Sequence, residues 1–83
     1  METILLDDFL DKGIIREKSF RKQVKDLNLD KFQGAKVIIK GCAGVVVPTW
    51  AYLIITAKIA QVADKIYYGE PRYAVKIFSR EKH

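Results

Sequence analysis

Residues Lys36 to Gly69 read KVIIKGCAGVVVPTWAYLIITAKIAQVADKIYYG, and the way this stretch divides decides the fold. Lys36 to Gly41 (KVIIKG) is short and β-branched and lies between Gly34 and Gly41, which reads as a strand. Val37, Ile38 and Ile39 are consecutive rather than alternating, so both faces of that strand are expected to be covered, as in an open α/β sheet. Gly41 to Trp50 (GCAGVVVPTW) then reads as a strand end, a turn and a helix start. Pro48 pushes Val47 into extended backbone and presets the first helical turn, and the Thr49 hydroxyl is placed to cap it. From Thr49 to Ala63 the pattern is helical, with Leu53, Ile54 and Ala57 along one side and Tyr52, Ile55, Ile59 and Val62 along another. A helix apolar around most of its girth must be buried on more than one side. In so small a chain a protein partner, a second copy first of all, is a natural source of the second cover.

Downstream, Lys65 to Gly69 (KIYYG) and Tyr73 to Ser79 (YAVKIFS) read as two strands joined through Glu70-Pro71-Arg72, a connection short enough to make them antiparallel. Lys76 in mid-strand marks the second as an edge. A right-handed crossover places the two strands around the long helix parallel, with the last strand added antiparallel. Upstream, Ser19 precedes Phe20, Val24 and Leu27, whose spacing predicts an amphipathic helix from about Ser19 to Asn28 with Arg21, Lys22, Lys25 and Asp26 on its outer face. Asn28 to Gly34 is turn-forming, with Leu29 and Phe32 as anchors. Ile4, Leu5, Leu6, Phe9 and Leu10 fit a helix capped by Thr3 and ended by Gly13, with a short strand starting at Gly13-Ile14-Ile15 as the other reading. The expected fold is therefore α/β: one small domain over residues 1–83 with a β-α-β-β core, a mixed sheet, and one or two N-terminal helices before it.

Composition narrows the function classes. With 83 residues, folding removes only about 60% of the surface of the unfolded chain, so every large apolar residue matters. A single cysteine makes no internal disulfide, and with one histidine, His83, no cluster is spaced to hold a metal. No cofactor fingerprint is present either: G-C-A-G is not G-x-G-x-x-G, and no G-K-[ST] follows it. The start METILLDDFLDK carries acids where a secretory signal has a basic region, so a cytoplasmic location is expected. Gly41 to Ala57 carries no charge and reaches the lower limit of roughly 17 to 25 residues for a membrane-spanning helix. Gly41, Gly44, Pro48 and the valine run break its first half, and no span is expected. The formal charge is +5, so acidic partners and nucleic acid must be weighed. Arg16, Lys18, Arg21, Lys22 and Lys25 form a basic patch on the first amphipathic helix, interrupted by Glu17 and Asp26. A solvated helix face explains it better than nucleic-acid binding.

The corner that could carry chemistry is Gly41, Cys42, Thr49 and Trp50. In an open α/β sheet, ligands bind beyond the carboxyl ends of strands, where loops lead into helix N-termini, and such a helix start attracts anions. A small anionic ligand is the second reading of this loop. Cys42 is the one nucleophile candidate, its thiol favoured as thiolate near a helix start, although unpaired cysteines are more often buried and inert. Trp50 and Tyr52 more often anchor a core or an interface than stack on a ligand.

Arg16, Glu17, Lys18, Phe20 and Arg21, then Cys42, then Val47-Pro48-Thr49-Trp50-Ala51-Tyr52, and finally Tyr68-Gly69 together resemble an uncharacterised bacterial family, a domain of unknown function with a Cys…V-P-T-W-A-Y signature. The similarity runs from Ile14 to Gly69. It implies an α/β domain and no known activity. The expected function is accordingly a small non-enzymatic protein-interaction domain, self-associating through the apolar helix. Ligand binding or thiol chemistry at Gly41 to Trp50 is the alternative, and weak nucleic-acid binding through residues 16–25 the second alternative.

Overall fold

A computed structural model describes residues 1–41 and 43–80. Cys42 and residues 81–83, and with them the thiol and His83 readings, lie outside the described residues. The chain forms a four-stranded mixed sheet in the order β1-β2-β3-β4. β1 (Glu2–Leu5), β2 (Lys36–Lys40) and β3 (Lys65–Tyr68) run parallel, and β4 (Val75–Ser79) is added antiparallel to β3. Helix α1 (Glu17–Lys25) joins β1 to β2, and α2 (Thr49–Ile59) joins β2 to β3. The β-α-β-β core is therefore as the sequence implies.

The N-terminus departs from expectation. Residues Glu2–Leu5 are a strand, paired in register with Val37 to Lys40, and only a 3₁₀ turn, Leu6–Phe9, follows it. The reason is non-local: four residues with β-branched Thr3 and Ile4 have weak local preference, and the ladder offered by β2 settles them. Ile4 then points into the core while Leu6 and Phe9 reach the same core from the turn. The chain reverses through Asp11 to Ile14, where Lys12 (φ 53°) and Gly13 (φ 84°) both adopt positive φ and Asp11 and Ile14 exchange backbone hydrogen bonds. Such turns suit the twist of flanking extended segments.

α1 begins two residues before the expected Ser19 and buries Phe20 and Val24, with Leu27 half-buried just beyond it. α2 starts at Thr49 itself. Pro48 is its N-cap, in extended backbone, and its carbonyl accepts from the Ala51 N–H. The Thr49 side chain makes no capping hydrogen bond, which corrects its expected role. α2 ends at Ile59 rather than Ala63. Arg80, just past β4, donates to the carbonyl oxygens of Ala60 and Ala63, closing the helix end where orphan carbonyls need partners.

Because the parallel strands follow one another in order across the sheet, right-handed crossovers put both helices on the same face. α1 packs against α2, and one core cluster joins Ile4, Val37, Ile39 and Ile66 of the sheet to Phe20, Val24, Ala51, Ile55 and Ile59 of the helices. The other face of the sheet has no helical layer among the described residues. Val37, Ile38 and Ile39 are nevertheless all buried, as the consecutive apolar run implies, but Ile38, only 2% exposed, stands outside the core cluster. Its neighbours in register are Thr3 on β1 and the half-buried Tyr67 on β3.

Candidate functional site

One pair of tyrosines lines two of the concavities beside α2. Tyr52 of α2 and Tyr68 at the end of β3 meet edge to face, with centroids 5.0 Å apart and planes at 79°. This geometry is favourable for aromatic quadrupoles. On one side of the pair lies a cleft of about 420 Å³ beyond the carboxyl ends of β1, β2 and β3, the edge where α/β sheets bind ligands. Asp7, Lys40, Gly41 and Glu70 line it. Lys40 Nζ stands 3.1 Å from Glu70 Oε2, so its charge is already matched, and Asp7 adds a carboxylate. The Tyr52 hydroxyl sits so close over Gly41 that any side chain there would collide with it.

On the other side lies an apolar groove of about 660 Å³ between α2 and the β3–β4 end of the sheet, lined by Thr49, Tyr52, Leu53, Thr56, Tyr68 and Ile77 among others. Its origin is the mismatch between two helices and four strands. α2 buries Ala51, Ile55 and Ile59, which leaves Leu53 and Ala57 facing out, and neither helix reaches over β4. A bulge in the β3–β4 ladder between Ile66 and Tyr67 leaves Ile77 unpaired, so that Ile77 joins Phe78 on the helical side. Leu53 is 66% exposed and Ile77 47%; Val75, opposite Tyr68, is 59% exposed. Exposed large apolar side chains scattered singly are ordinary, but these share one face beside an edge strand.

The structure separates the residues that the sequence singles out at this corner. Gly41 lines the strand-end cleft, while Thr49 lines the apolar groove. Trp50 turns toward α1, where its indole meets Phe20 edge-on at 5.9 Å. Cys42 lies outside the described residues. Leu53 is legible in sequence as part of an all-apolar helix, but Ile77 and Tyr68 enter the groove, and Val75 comes to stand beside it opposite Tyr68, through the bulge and the register, which local pattern does not encode. Lys40 and Glu70 are likewise missed, although charged residues at or just past strand ends on the ligand edge are the signal that could have found them. The basic patch on α1 is partly neutralised: Arg21 pairs with Glu17 at 2.8 Å, Lys22 with Asp26 at 3.2 Å and Arg16 with Asp11 at 3.8 Å.

Among the described residues no group of three or more His, Cys, Asp or Glu side chains is placed to hold a metal ion. No helix among them is long and apolar enough to cross a membrane. Neither the curated proteins nor the solved structures contain a match to this chain. A family model does match, over residues 9–80, and covers β2, β3, β4 and both helices, so the resemblance seen in the sequence is borne out and the chain belongs to the family described as protein of unknown function DUF2480.

Proposed function

We propose that this chain is a non-enzymatic protein-interaction domain of the cytoplasm that associates with a second copy of itself through the groove between α2 and β4. The observation that carries the reading is the shared exposure of Leu53, Val75 and Ile77 beside Tyr68 on one face. Together these side chains offer on the order of 400 Å² of apolar surface, within the roughly 300–600 Å² of the largest patch on a typical monomer, which is often functional. A two-fold pair closes this patch on itself without leaving a second sticky end. Such a pair buries on the order of 800 Å², below the roughly 1,200 to 2,000 Å² of a stable interface. The association is therefore reversible, and its extent depends on concentration. Sedimentation velocity from about 5 to 500 µM should show the weight-average mass rising toward that of a dimer; about ten-fold weaker association is expected for Ile77→Asp, since an unpaired charge would be buried. A clean monomer at the highest concentration would remove the reading.

A second reading is an anionic small molecule in the strand-end cleft. It is favoured by Lys40 and Tyr52 converging there, and disfavoured by Glu70 and Asp7. Backbone amide shifts confined to residues 40–52 on titration with phosphate and small carboxylates would support it.

A further inference from the structure

The face of the sheet opposite the helices carries its own chemistry. Strand alternation and the register fix its membership. Ile4, Val37, Ile39 and Ile66 point into the core, so Thr3, Lys36, Ile38, Lys40, Lys65 and Tyr67 point away from it. On β4, Lys76 is opposite Tyr67 and Ser79 opposite Lys65, which places both on the same open face. Lys36 and Lys65 are direct neighbours in register, two like charges side by side on adjacent strands. That arrangement costs stability unless something anionic relieves it. Asp64 does so in part for Lys65, at 3.4 Å, and Glu70 does so for Lys40. Both carboxylates sit at the rim rather than on the face and are themselves solvent-exposed, although Lys40 and Lys65 are half-buried. Among the described residues no carboxylate pairs with Lys36 or Lys76. The half-buried Tyr67 stands in the middle of these lysines, between Ile38 and Lys76 in register.

We infer that this open sheet face binds single-stranded nucleic acid, with Lys36, Lys65 and Lys76 meeting phosphates and Tyr67 offering a ring on which a base stacks. The charge is complementary to a polyanion, and the aromatic ring in the middle of the lysines favours a strand with unstacked bases over an acidic peptide, which has no flat group to use it. A flat platform suits a single strand lying across it, whereas no helix or ribbon projects from it to enter a duplex groove. The inference is independent of self-association, because the groove and this face lie on opposite sides of the sheet. It is also distinct from the patch on α1, where Arg16, Arg21 and Lys22 are paired with carboxylates.

The test is fluorescence anisotropy of a labelled oligothymidylate of about 15 nucleotides titrated with the intact chain, alongside a duplex of equal length and a poly-glutamate peptide. Binding on the order of 10 µM is expected at about 50 mM salt, weakening about 20-fold by about 200 mM if the three lysines contact phosphates. Lys36→Glu with Lys76→Glu should abolish it, and Tyr67→Leu should weaken it on the order of tenfold. Lys22→Glu with Lys25→Glu, an equal charge change on α1, should leave it within about twofold if the face is specific. Thermal unfolding of each variant checks that the fold is kept; if Tyr67→Leu fails to fold, the paired lysine variants still decide the matter. The inference is overturned if the oligothymidylate does not bind at about 50 mM salt, if the α1 variant loses as much as the sheet variant, or if the duplex or poly-glutamate binds as tightly.

Discussion

Phe20 offers the most quantitative check on how the helical layer is held. It is fully buried, and its ring meets Phe9 of the 3₁₀ turn at 5.4 Å with planes at 55°, and Trp50 of α2 at 5.9 Å with planes at 71°. One side chain thus ties the N-terminal turn, α1 and α2 together. Phe20→Leu keeps most of the volume but removes both ring contacts, each worth about 1 kcal/mol, so a loss of about 2 kcal/mol is expected. Phe20→Ala adds a cavity and should cost about 4 kcal/mol. A chain of 83 residues has a total stability of about 4–12 kcal/mol, so the alanine variant is expected to be marginal and the leucine variant measurable. Urea unfolding followed through the single tryptophan reads both the stability and the ring contact itself. With a slope of about 1 kcal/mol/M, Phe20→Leu should lower the midpoint by about 2 M. Leu53→Ala, in dilute solution, should stay within about 0.5 kcal/mol, because Leu53 faces out of the monomer. Equal midpoints for Phe20→Leu and the native chain, with unchanged Trp50 emission, would refute the aromatic tie.

Two further outcomes follow from the backbone and the helix ends. Gly69 has φ of 115°, where an L side chain is strained, so Gly69→Ala should lower stability by about 1–2 kcal/mol in urea unfolding and loosen the turn that leads toward β4. Arg80→Ala removes the donors to the Ala60 and Ala63 carbonyls and should cost about 1–2 kcal/mol, with faster amide exchange confined to the last turn of α2; Arg80→Lys should recover only part of it, having no planar fork to reach both carbonyls.

The central part of the fold was legible because its signals are local. The β-branched run at Val37 to Ile39, the proline before Thr49 and the short connection between the last strands each act over a few residues, and β2, α2, β3 and β4 stand where those signals place them. β1 was not legible because Glu2–Leu5 becomes a strand only through β2, whose partners lie far along the chain. Ile38 misled for a related reason. An apolar residue on the outer face of a strand signals a covering layer, but here the residue is buried with no helix over it, between a threonine and a tyrosine in register. At the candidate corner, proximity along the chain is not proximity in space: Gly41, Thr49 and Trp50 are close in number, yet the helix geometry sends them to a cleft, a groove and the α1 contact respectively. The groove itself depends on a bulge and on the ratio of helices to strands, and the lysine face on register across the sheet. Both are properties of the assembled sheet.

The most direct measurement of the central claim is a dilution series of methyl and amide NMR spectra of the native chain from about 500 to 5 µM. Self-association through the groove should give concentration-dependent shifts clustered at Leu53, Ala57, Tyr68, Val75 and Ile77, with β1 and the outer face of α1 unchanged. Spectra independent of concentration, or shifts clustered on β1 or α1, would contradict it.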